Sequence, residues 1–216
     1  MTARTIPTKV THFTHVDHLA TVIERGLLSD TAAQAAGVLT TEVGNLGIKD
    51  RRRQSAVPVP PGGAVADHVP FYFAPRSPMM FSISKGNVPS YKGGTARLIY
   101  LVTTLERLHE LGHRPVLTDR NAALNYTEYR VFDPPDLIDD DFIDWGLMSQ
   151  NYWNNTLDEP QRMERRMAEA LVHERVSWEA ITMIGTRSQV VADEVLAILA
   201  VTQSDVPVHI QPDWYF

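Results

Sequence analysis

Three prolines interrupt the aromatic run Val69-Pro70-Phe71-Tyr72-Phe73-Ala74-Pro75-Arg76-Ser77-Pro78-Met79-Met80, and they limit the chain more than any other feature does. Proline lacks the amide donor and clashes with the preceding turn, so this stretch cannot be helical. Its apolar, aromatic character reads instead as a buried strand, which the second proline stops after about five residues. The polar pair Arg76-Ser77 is thereby left at the strand's end. A strand that delivers polar groups to a rim is one way in which sheet proteins build a site. A core strand followed by a proline turn reads equally well.

A chain of 216 residues, 44% of them hydrophobic, fits a single domain over 1–216 with enough apolar content for a core. The sequence has no cysteine, so disulfides, thiol nucleophiles and cysteine-ligated metals are excluded. The segment Met1 to Pro7 has no long apolar run, and no later segment approaches bilayer length, so a cytoplasmic protein with no membrane partner is expected. A formal net charge of −6 argues against a general charge-driven nucleic-acid binder. Any DNA contact has to be local.

In chain order, Lys9 to Phe13 predicts a strand, and Thr14-His15-Val16-Asp17 has the form of a capping box opening a helix that Gly26 closes. From Leu28 to Asp67 the pattern weakens into a long loop holding the triplet Arg51-Arg52-Arg53, read either as functional or as a solvated basic patch. Ala96 to Val102 is the clearest strand, followed by a short helix from Thr104 to about Gly112. That helix carries His109-Glu110-Leu111-Gly112-His113, the spacing of a zinc hydrolase. Gly112 and Pro115 end the helix at the motif, however, which places His113 outside it and favours a solvated helix end over a metal site. His12 and His15 likewise read as hydrogen-bonding groups.

Pro115 to Leu117 predicts another strand, and the acidic run from Asp133 to Asp144 a solvated loop. Tyr152 and Trp153 could offer stacking faces to bases, although core anchors are the commoner use of such residues. Asp158 onward supports two readings: a helix through Leu171 with Glu169 on its polar face, or a shorter helix followed by a strand beginning at Glu169. The pattern slightly favours the helix. Strands are expected within Trp178 to Ile184 and Val206 to Ile210, with a helix between them whose Val190, Val191, Val195, Ile198 and Leu199 face the core. The class is mixed α+β, and neither a dinucleotide-binding nor a P-loop glycine motif is present.

Seven segments then carry a resemblance: His12 to Asp17, Ile48 to Arg52, Pro60 to Gly63, Val69 to Met80, Thr118 to Arg120, Tyr152-Trp153 and Arg166 to Val172. In this order they resemble the DarT family of bacterial DNA ADP-ribosyltransferase toxins, and its thymidine-modifying branch in particular. The resemblance implies a PARP-like fold, with a split mixed β-sheet core flanked by helices. It implies NAD⁺ as co-substrate, no metal, single-stranded DNA as acceptor, a macrodomain antitoxin (DarG) as partner and a monomeric enzyme. Glu169 and Arg52 would be catalytic. His12, Thr14, Tyr72, Arg51, Ser77 and Met79 would line the NAD⁺ site, and Arg76, Arg120, Tyr152 and Trp153 would meet the substrate. On this resemblance Glu169 begins a strand. The alternatives are transfer to guanine, RNA or protein, an NAD⁺-binding module without turnover, and a zinc hydrolase using His109 and His113.

Overall fold

A computed structural model describes residues 4–133 and 142–216. The expected acidic loop falls mostly on 134–141, outside the described residues.

The first strand, β1 (Lys9–His15), runs into a short 3-10 turn and then α1 (Leu19–Arg25). His15 caps the turn, its ring accepting the Asp17 amide, so the cap falls one residue later than the sequence pattern suggests. Gly26 ends α1 at φ +83°, a conformation that costs glycine little, and a Cβ there would meet the Val176 carbonyl at 2.6 Å. A two-residue strand, β2 (Leu27–Leu28), follows.

The Leu28 to Asp67 stretch is not a plain loop. It holds α2 (Asp30–Ala35), capped by Ser29, and α3 (Leu46–Gln54), capped by Asn45. Each capping side chain accepts an amide of the first turn at 3.2 Å, which satisfies a donor the helix leaves open. Neither helix buries a residue.

Then come β3 (His68–Tyr72), α4 (Pro78–Ser84), β4 (Leu98–Thr104), α5 (Leu105–Glu110), β5 (Val116–Thr118) and β6 (Tyr129–Val131). The exclusion of helix from the proline-rich stretch fails at its last three residues, because Pro78 stands at the first helical position, where its missing amide costs nothing. Two four-residue helices, α6 (Trp145–Met148) and α7 (Arg162–Arg165), precede β7 (Glu169–His173) and the short β8 (Arg175–Val176). The strand reading of Glu169 is therefore the correct one, and the helix stops at Arg165. The chain closes with β9 (Met183–Thr186), α8 (Gln189–Thr202) and β10 (Val208–Ile210). Val190, expected in the core, is exposed, because α8 turns Val191, Ala192, Val195 and Leu199 inward.

Eight strands form one sheet in the order β10-β9-β4-β1-β3-β7-β5-β6. The β9–β10 pair is parallel and the other pairings are antiparallel, so the sheet is mixed. β1 pairs with β4 over seven positions and β3 with β7 over five. β1 and β3, however, share the single position Thr11↔Tyr72. The sheet is thus split at its centre into two well-paired halves. One face carries Val10, Val69, Phe71, Leu101 and Ala170; the other carries Phe13, Tyr72, Leu98, Tyr100 and Val102.

Candidate active site

The site forms where the two halves part. Tyr72, last residue of β3, stands directly opposite Glu169, first residue of β7, so both side chains leave the same face of the sheet. Glu169 is fully buried. Its amide donates to the Thr118 hydroxyl at 3.0 Å, and that hydroxyl donates to the Arg120 carbonyl at 2.7 Å, which ties the start of β7 to the end of β5.

Arg52 reaches this carboxylate from the last turn of α3. Its Nη1 lies 2.9 and 3.0 Å from the two Glu169 oxygens. Nη2 of the same guanidinium is buried and has no partner. Burial alone would lower the Arg52 pKa, but the Glu169 charge beside it outweighs that and holds it above its ordinary value. Arg52 is a fixed cation at neutral pH.

The surrounding groups are tuned by the same pair. Burial, then the nearby Glu169 carboxylate, pushes the Tyr72 hydroxyl well above the usual tyrosine range. Tyr129 on β6 responds in the same way and is pushed up to about 12, while its hydroxyl donates to the Ala122 carbonyl at 2.6 Å. His12 sits beside the gap, its Nδ1 2.8 Å from the Pro70 carbonyl, so Nδ1 carries the proton and Nε2 is free to accept. Burial chiefly, with help from Arg52, pushes His12 down to about 4.

The remaining expected site residues spread around this centre. Thr14 is buried and its hydroxyl meets His18 Nδ1 at 2.9 Å, while His18 Nε2 accepts the Thr41 amide at 3.1 Å. The segment between α2 and α3 is thereby pinned to β1. Ser77 is buried and caps α4 through the Met80 amide, and Met79 is half-buried beside Tyr72's cluster. Arg76 lies with its guanidinium 4.4 Å from the Phe216 ring. Arg51 is exposed on α3. Arg120 pairs with Asp119 and Gln161 and covers the Tyr126 ring.

Tyr152 and Trp153 divide their roles. Tyr152 is 84% exposed, whereas Trp153 is buried and donates its indole N–H to the Arg76 carbonyl at 3.0 Å. Trp153 thus anchors the rim rather than offering a free face. Sequence reasoning missed Thr118 and Tyr129 as site residues. Thr118 lies in a recognised string, but only the cross-strand neighbourhood of Glu169 reveals what its hydroxyl does.

The zinc-hydrolase spacing does not assemble. α5 ends at Glu110 and Gly112 takes φ +80°, so His113 falls beyond the helix; His109 packs edge-on against Phe132. Among the described residues no three His, Asp or Glu side chains gather to hold a metal.

Comparison with known proteins agrees with this geometry. Residues 11–216 match the family model described as ssDNA thymidine ADP-ribosyltransferase, DarT. A DNA ADP-ribosyl transferase of Thermus sp. (strain 2.9) is 35% identical over 212 residues, covering 97% of both chains. The solved structure of Thermus sp. 2.9 DarT in complex with ADP-ribosylated ssDNA superposes with a TM-score of 0.90 at 32% identity, over 100% of this chain and 99% of that one. The same protein in complex with NAD⁺ gives 0.85 at 30% identity, over 99% and 100%. A family model spanning nearly the whole chain, the split sheet and the Tyr72–Glu169–Arg52 centre lead to one assignment: this chain belongs to the DarT family of single-stranded-DNA thymidine ADP-ribosyltransferases.

Proposed function

We propose that this chain transfers ADP-ribose from NAD⁺ to the N3 nitrogen of thymine in a specific single-stranded DNA sequence, releasing nicotinamide. The observation that carries the residue assignment is the Arg52–Glu169 contact. A guanidinium grips both oxygens of a fully buried carboxylate and keeps a second, buried N–H group without a partner. A buried donor of this kind costs about 1–3 kcal/mol unless something meets it. A ligand that fills the gap beside β1 and β3 would do so.

The chemistry breaks the bond between ribose C1′ and nicotinamide, which leaves with the bonding electron pair, and forms a bond from C1′ to thymine N3. Glu169 places a fixed negative charge where positive charge grows on the ribose. His12, neutral at physiological pH, accepts a ribose hydroxyl through Nε2, and Tyr72 lines the nicotinamide side. Arg52 stabilises the negative charge that thymine develops as its N3 proton passes to solvent. Its high pKa makes it an electrostatic partner and not a proton acceptor. The segment holding α2 and α3 covers the NAD⁺, with Thr14, Arg51, Ser77 and Met79 shaping the pocket. Arg76, Arg120 and Tyr152 meet the DNA, and Trp153 supports them. Single strands suit this site, because a base within a duplex would first have to be flipped out.

The same reading makes the chain the toxin of a toxin–antitoxin pair, one domain acting as a monomer in the cytoplasm, with the macrodomain protein DarG reversing its mark. The order of the recognised segments supports it. Among the described residues no helix is long and apolar enough to cross a membrane.

The test is incubation with NAD⁺ and oligonucleotides with or without thymidine, read by mass spectrometry, with wild type beside Glu169→Ala. A thymidine-dependent ADP-ribosyl mass gain that vanishes in the variant is expected. Gain on thymidine-free DNA, RNA or protein alone would replace the acceptor, and full activity in Glu169→Ala would remove Glu169 from its role.

A further inference from the structure

Tyr72 and Glu169 face each other across antiparallel strands, so the chain leaving β3 and the chain entering β7 emerge on the same rim. Each carries an arginine there: Arg76 four residues after Tyr72, and Arg166 three residues before Glu169. Arg166 is 3% exposed. Its Nη1 donates to the Leu147 and Met148 carbonyls, at 2.6 and 2.8 Å, closing the end of α6, and its Nε is buried without a partner. Arg76 also has a buried, unpartnered Nε, and its guanidinium lies over the Phe216 ring. Among the described residues no carboxylate pairs with either one. Burial, and then the charge of Arg76, pushes Arg166 down to about 10.

Buried positive charge with no counter-ion is expensive to keep, and folded chains normally pair it. Most other arginines here are paired; Arg97, for example, bridges Asp17 and Glu194. The Arg76 main chain is tied to the residue that follows the exposed Tyr152, whose own backbone is held as well. Arg162 donates to the Tyr152 carbonyl at 3.2 Å, and the next residue's indole is tied to Arg76.

We propose that Arg76, backed by Arg166, is a subsite for one backbone phosphate of the single-stranded substrate, next to a base stacked on Tyr152. Arg76 makes the contact. Arg166 is a positioning residue, which fixes α6 and adds its field from behind. The proposal rests on the transferase reading above. The other source of the same phosphate chemistry is the pyrophosphate of NAD⁺, and the experiment separates the two.

The full-length protein is assayed with NAD⁺ on oligonucleotides carrying one target thymidine and a single neutral methylphosphonate linkage, moved one step at a time. One linkage near the target should lower wild-type kcat/KM by on the order of tenfold, as expected for loss of a charge-assisted contact. Arg76→Met should lower kcat/KM for the unmodified strand to a similar degree and show no further loss with that neutral linkage. Arg76→Lys should retain part of the sensitivity, and KM for NAD⁺ should stay within about twofold, as expected if Arg76 does not meet the pyrophosphate. Arg166→Met should weaken the sensitivity without abolishing it.

Equal rates for every linkage in wild type would overturn the subsite, and that result needs no variant to fold. Undiminished linkage sensitivity in Arg76→Met would overturn it too. A large rise in KM for NAD⁺ with no sensitive linkage would give Arg76 to the pyrophosphate instead. Failure of wild type to modify any oligonucleotide is a separate result: it removes the transferase reading and the subsite with it.

Discussion

At the scale of single residues the centre is an ion pair that could not be read from spacing, because its members lie 117 positions apart. The arginine triplet was visible as basic and Glu169 as ambiguous; neither implies the other. Buried pairs are costly to break from one side. Arg52→Met leaves the Glu169 carboxylate buried and unpaired, and should lower unfolding stability by about 3 kcal/mol at neutral pH, measured by denaturant titration. Glu169→Gln keeps the shape and removes the charge, and should lower kcat on the order of a hundredfold in steady-state kinetics. His12 gives a pH prediction with a definite sign. Folding lowers its pKa from 6.5 to about 4, so between those values the unfolded chain binds more protons than the folded one. Stability is therefore full above that window and falls as pH drops through it. His15, His18 and His68 are shifted downward too and add to the same slope. Thermal midpoints should decline with acidification across the window, less steeply in His12→Asn.

At the scale of elements, legibility followed burial. β1, β3 and β4 bury most of their residues and were plain in the sequence. α2 and α3 bury none, so no apolar stripe marks them, and the stretch from Leu28 to Asp67 passed for a loop. That Ser29 and Asn45 cap these helices is visible only in the fold. α7 has one turn and was overextended, because the apolar residues of β7 continue a helical pattern by chance. The cap of α3 is testable. Asn45→Ala should cost about 1 kcal/mol of helix stability and loosen Arg52, which the helix delivers. Reduced kcat/KM with NAD⁺, alongside faster amide exchange in 46–54, would bear this out; unchanged exchange would mean that the ion pairs of Lys49 with Asp30 and Glu42 hold the helix without its cap.

At the scale of the whole molecule, the acidity of the chain shapes how it meets DNA. With a net charge of −6, binding depends on a few placed cations and not on a general field. Each phosphate met on a single strand adds about 0.7 to the salt slope of binding. Arg76 and Arg120 together should then give a slope no steeper than about −1.4, read by fluorescence anisotropy against salt concentration. A much steeper slope would reveal basic contacts beyond these two. The strand order was closed to sequence reasoning. β4 sits between β1 and β9, and β3 joins β7, through pairings of distant segments that local pattern does not encode. The family resemblance supplied the split sheet; composition did not.

The break between β1 and β3 has a consequence for inheritance. Beyond Thr11↔Tyr72 the facing edges of the two strands are main chain without a strand partner, and every amino acid carries the same main chain. Substitutions can refine what such a furrow prefers, but they do not easily erase it. Lineages can therefore drift far in sequence and keep one shape, as the TM-score of 0.90 at 32% identity with a Thermus relative illustrates. Descent is then free to rework the rim, where a new target sequence can be learned without rebuilding the engine beneath it.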